Sequence, residues 1–233
     1  TDSDGIADGC DECPYDPEND IDGDGLCCSV FDYSLAFNIN DFVLIGDNEL
    51  LKPTNGITIQ SWIMQHNQQE STEFIVSKEA LGNRQYNMYI QNSILKARIK
   101  VSGGGDENGW FEIAGNINLD SGNWNHVAMT YDNNQLITYV NGEIDNVLDI
   151  YSAITFSEEN IDLVIGRRND GAFGFNGKID NLIISDYALS EEEIQSSYNF
   201  NNDNQNGLIA YYDFNSGSGY TLFDNSSNYL HGN

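Results

Sequence analysis

Positive charge is scarce in this 233-residue sequence: nine Lys and Arg stand against 37 Asp and Glu, for a formal net charge of −28. Phosphate binding needs clustered Lys and Arg, so nucleic acid is not an expected partner, and neither is an anionic membrane surface. No long apolar run is present, so no segment reads as a membrane-spanning helix. No secretory leader is readable, so a secreted chain would be a mature form or a fragment. Histidine is limited to His66, His126 and His231. Three isolated histidines make neither a metal cluster nor a Ser/His/Asp set. His126, in "WNHVAM", reads as a packed strand residue. Cysteine is missing altogether beyond residue 28.

What is present is unevenly spread. Residues 1–29 hold eight Asp and two Glu, no Lys or Arg, and all four cysteines. Such a segment cannot bury a core, and its natural partner is a cation. In "DIDGDGL" the alternate side chains of Asp20, Asp22 and Asp24 converge, Gly25 permits a sharp turn, and Leu26 offers a carbonyl. This is an oxygen cage suited to Ca²⁺. An EF-hand would need a bidentate Glu at its twelfth position, which here is Phe31, so this is not an EF-hand. Cys10, Cys13, Cys27 and Cys28, confined to a core-poor module, point to disulfides in an oxidising compartment. Zinc is the rival for Cys10-x-x-Cys13, but the surrounding carboxylates favour a hard cation and no second C-x-x-C follows. Four cysteines allow three connectivities, and cross-pairing between the two close pairs is expected because each local bridge would be tight.

The stretch "DSDGIADGCDECPYDPENDIDGDGLCC" resembles thrombospondin type 3 repeats. The resemblance implies a first calcium site built by Asp2, Asp4, Asp8 and Asp11 with the Ile6 carbonyl. It also implies a calcium-stiffened spacer over residues 1–29. The pattern breaks after Leu26, where Cys28 stands in place of a further Asp, so the second site would be completed from elsewhere or be weaker.

From residue 30 the chain changes to short strands and polar turns: "GITIQSWIM" (56–64), "EFIVSK" (73–78), "QYNMYIQ" (85–91), "ILKARIKV" (94–101), "GWFEIAG" (109–115), "WNHVAMTYD" (124–132), "QLITYVNGEIDNV" (135–147), "IDLVIGRR" (161–168) and "GKIDNLIIS" (177–185). Asn141-Gly142 is a type I′ hairpin signal. The spacing predicts an all-β, antiparallel β-sandwich with one short helix, "LSEEEIQSSY" (189–198). Ser190 is its expected N-cap, with Glu193 completing a capping box.

In order, "SLAFNINDFVLI", "GITIQSWI", "IVSK", "YNMYI", "GNWNHVAMTYDNNQLITYVNGE", "VIGRR", "FNGKIDNLIISDYALSEEEIQSSY" and "GLIAYYDFNSGSGYTLFDNSS" resemble the laminin G-like, concanavalin A-like jelly rolls of secreted bacterial proteins, over residues 30–233. The last segment often opens such domains; here it is expected to close the sandwich by permutation, the alternative being that it begins a further domain. The resemblance implies an extracellular or cell-surface adhesion module that binds a glycan or an extracellular protein. The rival is a structural module that self-associates or packs on neighbouring domains. It also implies a structural calcium near Asp180, with Asp224 close by.

Sugar sites use exposed aromatics as stacking planes with amides and carboxylates beside them. Two loops fit. In 102–110, Trp110 would be the plane with Asp106 and Asn108 as polar partners, although Trp110 also suits a core position. In 167–175, Phe173 would be the plane with Arg168 and Asp170. The glycine run 103–105 lacks the Lys-Ser/Thr sequel of a phosphate loop. A glycosidase would need paired carboxylates on one strand. In "GEIDNVLD", Glu143, Asp145 and Val147 would share a face, so the third acid is missing and Glu143 and Asp145 read as solvated strand acids. No catalytic activity is expected.

Overall fold

A computed structural model of the chain describes residues 33–66, 72–80, 83–103, 105–106, 109–199, 206–215 and 219–233. The head ligands Asp2 to Leu26, the four cysteines and Asn108 lie outside the described residues.

Two antiparallel sheets face each other. Sheet A runs β1 (Leu35–Phe37), β12 (Gly177–Ser185), β3 (Ile57–Gln65), β8 (Asn125–Tyr131), β9 (Gln135–Val140), β10 (Glu143–Asp149), with β13 (Leu208–Tyr212) also on β12. Sheet B runs β2 (Val43–Ile45), β11 (Leu163–Ile165), β4 (Thr72–Ala80), β5 (Asn83–Gln91), β6 (Ile94–Lys100), β7 (Trp110–Asn118). Period-two alternation places Leu95, Ala97 and Ile99 of β6 inside, and Lys96, Arg98 and Lys100 outside. Ile59, Ile63, Val127, Met129, Ile179 and Leu182 of sheet A meet Ile75, Met88, Ile90 and Ile165 of sheet B in one core. The C-terminal segment packs onto this frame: β13 pairs β12, and the Asn233 backbone exchanges hydrogen bonds with Leu44 of β2.

The outer face of sheet A is covered by α1 (Glu191–Tyr198). Leu189 and Ile194 pack on Ala128 and Tyr139, and Tyr198 stacks on Trp62 with centroids 5.4 Å apart. The expected capping box is formed: Ser190 Oγ accepts from Glu193 N, and Glu193 accepts from Ser190 N. Asn141 and Gly142 have positive φ, 52° and 81°, as a type I′ turn requires. His126 is enclosed beside Trp62 and Tyr198, and burial pushes its imidazole down to about 3. Among the described residues, no helix is long and apolar enough to cross a membrane.

Two expectations are corrected. "IDLVIGRR" yields only the three-residue β11, because the chain leaves the sheet at Gly166. Asp145 is not a solvated strand acid. A register shift between Ile144 and Asn146 turns it inward, where it is 8% exposed. Its Oδ1 accepts from the backbone N–H of Asn116 and Ile117 at 2.7 and 2.8 Å, tying β10 to β7. Gly115 makes room for it, since a Cβ there would lie 1.7 Å from Asp145 Oδ2.

One charge sits at the edge of the core. Lys78 is fully buried; its Nζ donates to Asp47 Oδ1 at 2.5 Å and to the Ile161 carbonyl. Asp47 also holds Lys52 Nζ at 2.9 Å. Desolvation works against the Asp47 carboxylate, but hydrogen bonds from Lys78 and Lys52 outweigh it and hold its pKa below the ordinary value. Removing one partner of such a pair strands a buried charge. Asp47→Ala should therefore cost about 3–5 kcal/mol by denaturant unfolding, whereas adding Lys78→Met to it, which removes the stranded charge, should recover much of that loss.

Candidate functional site

No helix among the described residues covers the outer face of sheet B, yet much of that face is buried. Its floor is polar and aromatic. Ser77 of β4 pairs with Asn87 of β5, Asn87 with Arg98 of β6, and Arg98 with Glu112 of β7, so the four form one cross-strand row. Phe74, Tyr89 and Lys96 form a second row, and Lys100 with Trp110 a third.

The two loops singled out from the sequence both fold against this floor. Arg168 lies over the Phe173 ring, 4.5 Å from its centroid, and its Nε approaches Glu79 Oε1 at 3.5 Å. Its guanidinium also pairs with Asp170 in a bidentate fork. That bond holds the Asp170 carboxyl below its usual range and raises Arg168. Phe173 stacks on Phe74, which stacks on Tyr89 with centroids 6.0 and 4.9 Å apart. Phe173 is 44% exposed at φ 58°. A non-glycine residue held at positive φ is uncommon and worth a functional explanation.

The second loop behaves differently from expectation. Trp110 is 6% exposed, so its ring is not an open stacking plane. Arg84 covers it, with the guanidinium 5.7 Å from the ring centroid and Nη1 4.0 Å from Asp106 Oδ2. Asp106 Oδ1 accepts from Trp110 N at 3.1 Å and so sets the entry to β7. Gly109, at φ 73°, makes this turn; a Cβ there would lie 2.7 Å from the Val101 carbonyl.

Between the loops, the floor holds polar groups without partners. Ser77 Oγ, both polar atoms of the Gln85 amide, Asn87 Oδ1 and Trp110 Nε1 are buried and unbonded. Each such group costs about 1–3 kcal/mol when left unsatisfied. Five of the ten such atoms among the described residues lie on this one face; the others, Gln60 Oε1 and His126 Nδ1 among them, are spread over the rest of the fold. The ionised groups beside them are tuned in opposite directions. Burial raises Glu79 above its ordinary value despite the nearby Arg168 and Arg84 charges, and Asn87 Nδ2 donates to it at 2.7 Å. Glu112 is held low: desolvation opposes this, but the Tyr89 hydroxyl at 2.7 Å, Arg98 and Lys96 outweigh it.

Sequence reasoning did not single out Ser77, Glu79, Gln85, Asn87, Tyr89, Arg98 or Glu112. A signal existed. In "QYNMYIQ" and "LKARIK" the apolar alternates face the core, so the others, Gln85, Asn87, Tyr89, Lys96, Arg98 and Lys100, must share one outer face.

The expected calcium position is also defined. Asp180 is buried, and its Oδ1 accepts from Asn181 N at 2.7 Å. Asp224 is fully engaged: Oδ1 accepts from Tyr211 N and Ser226 N, and Oδ2 from Ser226 Oγ and Leu230 N. Among the described residues no group of three or more His, Cys, Asp or Glu could hold a metal ion, so Asp180 belongs to no such group.

The profile of the concanavalin A-like lectin/glucanases superfamily matches residues 37–195, from β1 into α1. The chain belongs to this superfamily. No curated protein matches it in sequence. Among solved structures, it is similar to a candidate carbohydrate-binding protein from Bacteroides ovatus, with TM-score 0.64 and 18% identity, over 87% of this chain and 57% of that one. It is also similar to the CBM40 module of the Ruminococcus gnavus IT-sialidase bound to α2,3-sialyllactose, with TM-score 0.56 and 17% identity, over 71% of this chain and 96% of the module. The botulinum neurotoxin serotype G binding domain matches with TM-score 0.55 and 15% identity, over 72% of this chain and 42% of that one. At these identities the superfamily jelly roll is the shared feature.

The raised Glu79 gives a prediction with a definite sign. Its folded pKa lies above its unfolded one, so its charge penalises the fold at neutral pH. The penalty is relieved as pH falls through the folded value. The melting temperature of the wild type should therefore gain on that of Glu79→Gln as pH is lowered from 7 towards 5, measured by calorimetry in parallel.

Proposed function

We propose that this chain is a non-catalytic recognition module that binds a glycan on the outer face of sheet B. The observation that carries this reading is the set of buried, unpartnered polar groups on that face, Ser77, Gln85, Asn87 and Trp110, enclosed by two loops. Hydroxyl-rich ligands offer both donors and acceptors to such groups. Amides, a hydroxyl and an indole N–H are the partners sugars need. Phe173, half exposed at the rim, supplies an apolar plane for the face of a pyranose ring. The similar structures, a candidate carbohydrate-binding protein and a module bound to sialyllactose, agree with this reading.

Because the floor atoms are covered, the ligand enters by displacing part of the 167–173 loop, whose anchor is Arg168. A glycan array screened with the full chain tests this. Phe173→Ala should weaken binding to any hit about tenfold or more, which corresponds to about 1.4 kcal/mol, whereas Arg168→Ala, which releases the loop, should leave binding unchanged or tighten it. Undiminished binding by Phe173→Ala would place the site elsewhere.

In the same reading, residues 1–29 form a calcium-bound, disulfide-stapled spacer, and the chain works outside the cell as an adhesion module. The support is the alternate Asp spacing and the confinement of all cysteines to that segment. Ca²⁺ would there take the place of a hydrophobic core, and its removal leaves ten mutually repelling acids. Calorimetry should show a transition that shifts down by several degrees on adding chelator and returns with millimolar Ca²⁺. A melting curve indifferent to both would sink the calcium spacer.

A further inference from the structure

We infer that the outer face of sheet B selects an anionic sugar, one bearing a carboxylate or sulfate, and that Arg84, Lys100 and Trp110 form the subsite for its charge. This rests on the glycan reading above and narrows it. Five of the chain's nine Lys and Arg (Arg84, Lys96, Arg98, Lys100 and Arg168) lie on this face or its rim, together with four of the 23 Asp and Glu among the described residues (Glu79, Asp106, Glu112 and Asp170). On a protein with a net charge of −28, this face is the local exception to a field that otherwise repels anions.

The charges on the face are not equivalent. Lys96 and Arg98 are committed to Glu112, and Arg168 to Asp170 and Glu79. At the other end of the floor, Lys100 makes no ion pair among the described residues. Among the described residues Arg84 makes one ion pair, the loose 4.0 Å approach to Asp106, with both side chains near half exposed, and its charge also acts on Glu79. Lys100 pairs across the strands with Trp110, and the Tyr86–Ile99 pair places Gln85 beside Lys100. Arg84 lies over the same Trp110 ring. One end of the face therefore gathers two available cations around two buried, unbonded N–H donors, Trp110 Nε1 and Gln85 Nε2. Two fixed donors backed by two cations suit a carboxylate or sulfate, whose oxygens accept several charge-assisted bonds at once. A neutral sugar would leave both cations unused.

The test compares matched probes by titration calorimetry on the full chain: α2,3-sialyllactose against lactose, a uronate oligosaccharide against its carboxyl-reduced form, and a sulfated disaccharide against its desulfated form. The inference expects at least one anionic member to bind about tenfold more tightly than its neutral partner, with an affinity that falls as NaCl rises from 50 to 300 mM. The pair that shows the gap tells carboxylate from sulfate. Arg84→Gln and Lys100→Gln should abolish that gap while each variant keeps a cooperative calorimetric melting transition, which shows that it is folded. Equal affinity within every pair, or a gap untouched by both variants, overturns the anionic subsite and leaves the glycan reading standing. If no probe of either kind binds and the array is blank, the glycan reading itself fails.

Discussion

A sheet that packs on another sheet buries one face and must account for the second. Sheet A does so with α1, through Leu189, Ile194 and the Trp62–Tyr198 stack. Sheet B has no such cover among the described residues, and its second face is shielded by two connecting loops instead. That constraint shapes everything at the candidate site. The floor cannot be apolar, because loops tethered by single arginines would not seal an oily surface against other chains. It cannot be fully solvated either, because Arg168 and Phe173 lie across it. The result is a buried polar floor, costly in isolation and useful if a ligand supplies the missing partners.

Arg168 holds one side of this arrangement. Its guanidinium reaches Phe173, Asp170 and Glu79 at once, so it fixes the loop tip, the loop base and the edge of the floor together. A planar fork with several donors can do this; a lysine could not. Ion pairs of this kind at a surface are individually weak and screened by salt. The closed state is therefore only modestly favoured, as befits a loop that must move for a ligand to reach Asn87 and Ser77.

Much of the sandwich is legible in the sequence. The strands with clear alternation, the Asn141-Gly142 turn and the Ser190–Glu193 capping box are local signals, and each is found where the pattern puts it. What failed to show were features set by non-local contact. Asp145 turns inward because β7 offers it two backbone N–H groups across the sheet edge, which its own strand cannot announce. Trp110 looks like a stacking plane in "GDENGW" and becomes part of the floor because Arg84, from a different hairpin, lies over it. The site followed the same rule. Its loop residues were readable one by one, while the floor emerges only when four strands are laid side by side. Proximity in sequence found Arg168, Asp170 and Phe173; proximity across strands was needed for Glu79, Asn87 and Glu112.

The superfamily contains both lectins and glucanases, so the carboxylates on this face deserve a geometric test. Glu79 is pushed up and Glu112 is held down, which is the pattern expected of an acid and base pair. The surroundings account for both shifts. Glu79 belongs to β4 and Glu112 to β7, with β5 and β6 between them. Each carboxylate is also already engaged, Glu79 by Asn87 and Arg168, and Glu112 by Tyr89, Arg98 and Lys96. Opposed pKa values here follow from burial at one end of the face and cation pairing at the other. The four-strand span from Ser77 to Glu112 gives the face room for a sugar residue to lie across Asn87 and Arg98, as the proposed binding reading requires.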